Sequence, residues 1–323
     1  MLILRVSTAA LLLLTVLILP GPVSAFDVEI LKSNDFSYYN EAVAGAKQVL
    51  AADASVTVYD LRGNVTGGRT IAQNLRAERP DLIIAVGLKA ALAAKLEIFD
   101  SPIVICMVMA PESYEFTAPN LYGVYMRAPI EQQLASLHAL MPQAKRIGVL
   151  YDERFSGPTI QDAALQAEKL GLQLVPAIIA APDDVPIALR ALIPKIDALW
   201  LIQDQTVVTE QSVRFILETT LDAKVPVFAF SATLVQQGAL GALVVDAADA
   251  GRQAGHLGKR LLRKELVKGS RFAPPERTEL ALNLHVAAYL GLNPPDQVIR
   301  AAGKIFSGPG SFAKREANEA LVP

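Results

Sequence analysis

The chain has 323 residues, a formal charge of −2 and one cysteine, and 52% of its residues are hydrophobic. A near-neutral chain without a dense basic run lacks the electrostatic footprint of a nucleic-acid binder, so no nucleic-acid partner is expected. One cysteine excludes an intramolecular disulfide framework, and the length suffices for one or two domains held by their own cores.

Residues 1–25 read as a secretory signal peptide. Arg5 precedes an apolar run over 9–19, Pro20 and Gly21 break it, and Val23, Ser24 and Ala25 offer small residues for cleavage after Ala25. The competing reading is a membrane anchor, but the run is about half of the ~20 residues a span needs. Cleavage would remove Arg5 and leave 29 basic against 32 acidic residues, a charge of −3. A periplasmic location is expected. No cysteine follows the apolar run directly, so no lipid anchor is expected, and Cys106, inside the apolar stretch 103–107, reads as a small buried hydrophobe.

The next residues alternate short apolar runs with amphipathic segments. Strands are expected over 28–31, 56–59, 82–86 and 103–107, with helices over 41–50, 70–78 and 90–96. The pattern restarts with strands over 146–151, 172–179, 198–202 and 227–229 and helices over 159–170, 185–193 and 212–221. Continuous apolar strands alternating with helices predict βαβ units and a parallel sheet covered on both faces. The fold class is therefore α/β, with two doubly wound parallel-sheet lobes and a ligand cleft between them. Two further one-faced helices, over 129–141 and 248–262, each follow a strand-like run, over 121–125 and 242–245. The glycines over 62–68 read as a turn into the next helix, since their spacing fits neither a dinucleotide nor a phosphate loop. The tail after Ala302 reads as loosely ordered.

Chemical hardware is sparse. His138, His256 and His285 have no metal-ligand spacing, and no Gly-x-Ser-x-Gly elbow occurs. No catalytic residue, metal or cofactor is expected, and the chain does not read as an enzyme.

In open α/β sheets ligands bind beyond the carboxyl ends of the strands. Those places hold Asn34, Phe36, Tyr38, Tyr39, Gly87, Lys89, Met109 and Ala110 in the first half. In the second half they hold Asp152, Phe155, Asp204, Gln205, Thr206, Ser231 and Asp246. Asp204 or Asp246 suits an ammonium group, and the aromatic rings suit an apolar or aromatic side chain. Other roles stay open: Asp204 and Asp246 as helix caps, Tyr38 or Tyr39 as helix-start packing, Lys89 as a solvated charge.

An ordered series of segments carries a resemblance. The stretch Val225-Pro226-Val227-Phe228-Ala229 through Gly238-Ala239-Leu240 leads to Val245-Asp246 and Ala250-Gly251-Arg252-Gln253-Ala254-Gly255. Leu280-Ala281-Leu282-Asn283-Leu284 and Ala287-Ala288-Tyr289-Leu290-Gly291-Leu292 follow. The series resembles the TrpX-like ABC-transporter substrate-binding proteins. The resemblance implies a type I periplasmic-binding-protein fold with crossings near Arg127, Asp246 and Phe272. Between the signal peptide read over 1–25 and a loose tail over 304–323, it implies one lobe from 26–126 plus 247–272 and a second from 127–246 plus 273–303. Asp204, Gln205 and Thr206 resemble the family's Asp-Asn-Thr-like ligand loop, with Gln205 in place of the commoner Asn. Asp152 stands where relatives often have Asn followed by Pro, and Ala247 and Ala248 replace aromatic residues common after Val-Asp. The implied function is a monomeric solute-binding protein that presents a small organic ligand, such as an amino acid, to the membrane permease of an ABC importer. A ligand sensor for a membrane signalling partner is the alternative, ahead of an exported enzyme.

Overall fold

The computed structural model describes residues 26–109, 114–265 and 269–308. The signal-peptide expectation for 1–25, the candidate Ala110 and the end of the expected tail, 309–323, lie outside the described residues.

The first half contains β1 (Phe26–Lys32), α1 (Ser37–Leu50), β2 (Ala54–Asp60), α2 (Val65–Glu78), β3 (Leu82–Val86), α3 (Leu88–Glu97), β4 (Ile103–Val108) and β5 (Leu121–Tyr125). Then come α4 (Ile130–Leu140), β6 (Arg146–Tyr151), α5 (Glu153–Lys169), β7 (Gln173–Ile178), α6 (Val185–Leu192), β8 (Ala198–Trp200), α7 (Glu210–Asp222), β9 (Val227–Ala229), α8 (Ala232–Gln237) and β10 (Gly241–Val245). The described chain ends with α9 (Ala247–Leu262), β11 (Phe272–Ala273), β12 (Thr278–Asn283), α10 (Leu284–Tyr289), α11 (Asp296–Ala301) and β13 (Lys304–Phe306).

Two sheets result. One has the order β11-β5-β4-β3-β1-β2, the other β13-β12-β10-β9-β8-β6-β7. The neighbours pair in parallel, except that β12 runs antiparallel to β10. The two-residue period of the strands separates the cores. Leu82, Ile84 and Val86 pack with α1 and α9, while Ile83 and Ala85 pack with α2 and α3. In the second sheet Ile147 and Val149 face α4 and α5, and Leu150 faces α6 and α7. Burial on both faces is why β3 and β4 are apolar throughout. Cys106 belongs to one of these cores and is free, with its thiol pushed up to about 12 by burial. Among the described residues no helix is long and apolar enough to cross a membrane.

The chain passes between the sheets three times. β5 lies in the first sheet, but α4 packs on the second. β10 lies in the second sheet, but α9 packs on α1 in the first. β11 joins the first sheet after α9, and the chain then crosses for the third time to β12 in the second. The α1–α9 contact is close enough to require glycine: a Cβ on Gly251 would lie 1.9 Å from the Ala42 carbonyl oxygen, and one on Gly45 2.0 Å from that of Ala248.

Several elements depart from the sequence expectation. α2 starts at Val65, so Gly67 and Gly68 are helical. The Asn64 side chain caps it by accepting from the Gly67 N–H, and Gly68 is a glycine because a Cβ would strike Leu61 at 2.4 Å. The turn itself is made by Arg62 and Gly63, both at positive φ. α5 starts at Glu153 because Asp152 caps it, and it carries Pro158 inside. α8 follows a Ser231 cap on Leu234 N–H. The expected loose tail begins with β13, paired with β12, so the second sheet extends to Phe306.

Candidate functional site

Each sheet contains the strand order 2-1-3-4-5 in local terms: β2-β1-β3-β4-β5 and β7-β6-β8-β9-β10. The winding direction reverses between β1 and β3, and again between β6 and β8. Such switch points leave a crevice at the carboxyl ends of the strands, where doubly wound sheets take ligands.

A cavity of about 570 Å³ lies at these ends. Its first-half wall carries Met109, Tyr114, Glu115 and Met126. Met109 follows an irregularity in β4, where the register shifts between Ile105 and Val108 and Met107 adopts φ 58°. A bulge of this kind re-aims the residues beyond it. The second-half wall carries Arg154, Phe155, Ser156 and Thr159 from the start of α5, then Trp200 and Ile202 to Gln205 beside β8. Phe230, Leu243 and Val245 add an apolar surface, and Arg127, Ile130 and Gln133 line it at and after the first crossing. Trp200 is buried, and its indole N–H donates to Gln133 Oε1 at 3.1 Å, while Gln133 Nε2 donates to the Ala128 carbonyl at 2.7 Å. The indole is thereby fixed in the cavity wall.

A polar network joins the loops after β6 and β8. Asp204 is 1% exposed. Its Oδ2 accepts from the Asp152 N–H at 2.9 Å and the Ser156 hydroxyl at 2.6 Å. Its Oδ1 accepts from the N–H groups of Thr206 at 2.9 Å and Val207 at 3.1 Å. Asp152 accepts from the Thr206 hydroxyl at 2.8 Å, from the Arg154 N–H, and from the Arg154 guanidinium through both oxygens. That guanidinium holds the Asp152 carboxyl far below the usual carboxylate range, against the opposing effect of burial. Arg154 also donates to the Ala180 carbonyl and lies over the Phe155 ring, 5.3 Å from its centroid.

Four of the residues expected from sequence line the cavity: Met109, Phe155, Asp204 and Gln205. The geometry changes the role of Asp204. Its two oxygens hold four donors, so it braces the loop instead of presenting a free carboxylate to an ammonium group. Asp152 and Thr206 stand behind it in the same network. Asp246 caps α9 through the Asp249 N–H at 2.9 Å, and Ser231 caps α8. In the first half, Lys89 donates to the Gly63 carbonyl at 2.7 Å. Gly87, at φ 87°, makes room for Tyr39, whose ring a Cβ there would meet at 2.6 Å. Phe36, Tyr38 and Tyr39 form one aromatic group with centroids 4.4–6.0 Å apart, and burial raises the Tyr39 phenol well above its ordinary range. Phe36 is 51% exposed and Phe155 50%. Asn34 has a buried Oδ1 with no partner among the described residues. None of these first-half residues but Met109 is in the cavity wall. Sequence reasoning did not single out Tyr114, Glu115, Gln133, Ser156, Thr159 or Trp200. Ser156 and Thr159 were obscured because α5 was expected to start at 159.

The chain matches the ABC transporter substrate binding protein family over residues 51–306. A tyrosine-binding protein of Clostridioides difficile (strain R20291) is 28% identical over 223 residues, covering 67% of this chain but only 64% of that relative. The fold is similar to the ligand-free, open structure of a substrate-binding protein with adhesive properties from Clostridium difficile, with a TM-score of 0.70 and 22% identity over 88% of this chain and 100% of that one. It is also similar to an ABC domain in complex with L-Trp from Streptococcus pneumonia, with a TM-score of 0.59 and 21% identity over 86% and 100%. These likenesses establish a fold of two doubly wound lobes of the type I periplasmic-binding-protein kind. By the extent of its family match, the chain belongs to the ABC transporter substrate binding proteins.

Proposed function

We propose that this chain is the solute-binding component of an ABC importer, and that it closes two lobes on a small organic molecule of the amino-acid class. The observation that carries the reading is the cavity of about 570 Å³ at the strand ends, walled from both sheets and from the first crossing. Its volume suits a small ligand. Its wall combines apolar and aromatic groups with amides, hydroxyls and charges of both signs, which suits a zwitterion with an apolar side chain. The tyrosine and L-Trp named for two relatives support the same class.

In this reading the lobes are 26–126 with 247–272 and 127–246 with 273–303, the first extended to Ala273 by β11 and the second to Phe306 by β13. Closure about the crossings brings the half-exposed Phe36 and Phe155 toward the ligand, together with Tyr38, Tyr39, Asn34, Gly87 and Lys89 from the first half. Asp152, Thr206, Ser231 and Asp246 act by holding loops. The liganded, closed form is what the permease recognises. The protein works as an exported periplasmic monomer with a cleaved signal peptide and makes or breaks no bond.

Native mass spectrometry of freshly purified protein tests this. One small-molecule adduct on a monomeric chain, displaced by an amino acid that also gives binding heat in calorimetry, is the expected result. No adduct and no heat with any proteinogenic amino acid would sink the amino-acid reading.

A further inference from the structure

Gln203 follows β8 and lines the cavity beside the braced Asp204. The two polar atoms of its amide are unequally served. Nε2 donates to the Met126 carbonyl, at the first crossing, across a long 3.4 Å. Oε1 is buried and has no partner among the described residues. The orientation of the amide follows from that pairing, since exchanging N and O would set two carbonyl oxygens against each other. A buried acceptor without a donor is unfavourable, so a group that supplies the donor gains affinity and one that cannot forfeits it. The terminal torsion of Gln is broad, and the bond restraining it is at the limit of hydrogen-bond length. Rotation about that torsion is the movement by which Oε1 would meet a ligand.

Three acceptors beside Gln203 on the second-half side are committed. Asp204 holds four donors, and Asp152 holds Arg154 and Thr206. Gln133 Oε1 holds the Trp200 indole. On the second-half wall this leaves Gln203 as the side chain whose principal acceptor is buried and unmatched among the described residues.

We propose that Gln203 is a specificity-determining residue that accepts a hydrogen bond from the amine of the ligand, carried as an ammonium group. This deepens the binding role proposed above and rests on it. Ligand amine nitrogen is thus read by an amide oxygen, while the conspicuous aspartates brace the site. Because the same side chain touches Met126, the contact also links ligand to the first crossing.

The test uses the full mature chain and calorimetry with L-tryptophan, L-tyrosine, tryptamine, tyramine and indole-3-propionate, the last lacking the amine. Gln203→Leu removes both polar atoms of the amide, and Gln203→Glu keeps an acceptor. The expected result is a ~10- to 100-fold loss for amine-bearing probes in Gln203→Leu, a much smaller change for indole-3-propionate, and recovery of the amine-bearing probes in Gln203→Glu. Equal losses for probes with and without the amine, or no recovery in the glutamate variant, would overturn the proposal and leave the amino-acid reading standing. If no proteinogenic amino acid binds the wild type but the amines bind and depend on Gln203, the amino-acid reading falls and the proposal stands. Binding of indole-3-propionate alone, or of none of the probes, overturns the proposal; the amino-acid reading falls with it only where every other proteinogenic amino acid also gives no heat.

Discussion

Replacing Asp204 by asparagine keeps the shape of the side chain and converts one of its two acceptor oxygens into a donor. The amide oxygen can serve the Thr206 and Val207 N–H groups, which leaves Nδ2 facing the Asp152 N–H and the Ser156 hydroxyl. The hydroxyl can rotate and accept, but the Asp152 N–H cannot. A buried donor without an acceptor costs about 1–3 kcal/mol, and the surviving bonds lose their charge assistance. The expected destabilisation is about 3 kcal/mol for Asp204→Asn, and about 4–5 kcal/mol for Asp204→Ala, where all four donors lose their acceptor. Urea unfolding followed by the fluorescence of Trp200, the sole tryptophan, reads this directly, because Trp200 is buried in the same lobe. A loss below about 0.5 kcal/mol for the asparagine variant would refute the reasoning, since surface substitutions produce that much.

Glu29 is buried in β1, and its carboxyl is raised from the ordinary 4.5 to about 7 by burial first, then by Asp27 and Glu78, with the Thr57 side chain opposing. Between those values the folded chain holds a proton that the unfolded chain has released. Its contribution is therefore complete below pH 4.5 and is lost as pH rises through 7, by up to about 3 kcal/mol. Glu29→Gln mimics the neutral acid. Urea unfolding across pH 4.5–8 should give a flatter profile and a more stable variant above pH 7, and an unchanged slope would contradict this origin. Gly251→Ala should lower stability by more than about 1 kcal/mol by driving α9 off α1; a neutral result in the same assay would show that the helices sit farther apart than 1.9 Å of clearance implies.

Much of the fold was legible because burial leaves a pattern in the sequence. β3 and β6 were expected with the bounds they have, since strands covered on both faces are short and apolar and end at glycine or polar loops. Short or atypical elements were not. α2 and α5 begin in polar, glycine-containing turns whose helical state depends on caps by Asn64 and Asp152, and β13 becomes a strand only because β12 offers an edge. The site divides in the same way. The alternation of strand and helix pointed to the strand ends, and of the fifteen residues it named there Met109, Phe155, Asp204 and Gln205 line the cavity. What each side chain does there depends on partners far away in the chain. Asp204 is saturated by groups from the loop after β6 as well as its own, and Gln203 is left half-paired opposite Met126. Sequence by itself determined the two-lobed α/β class, because hydrophobic period is a local property. Only the tertiary structure decided which polar groups are already spent, because hydrogen-bond satisfaction is set by residues that folding alone brings together.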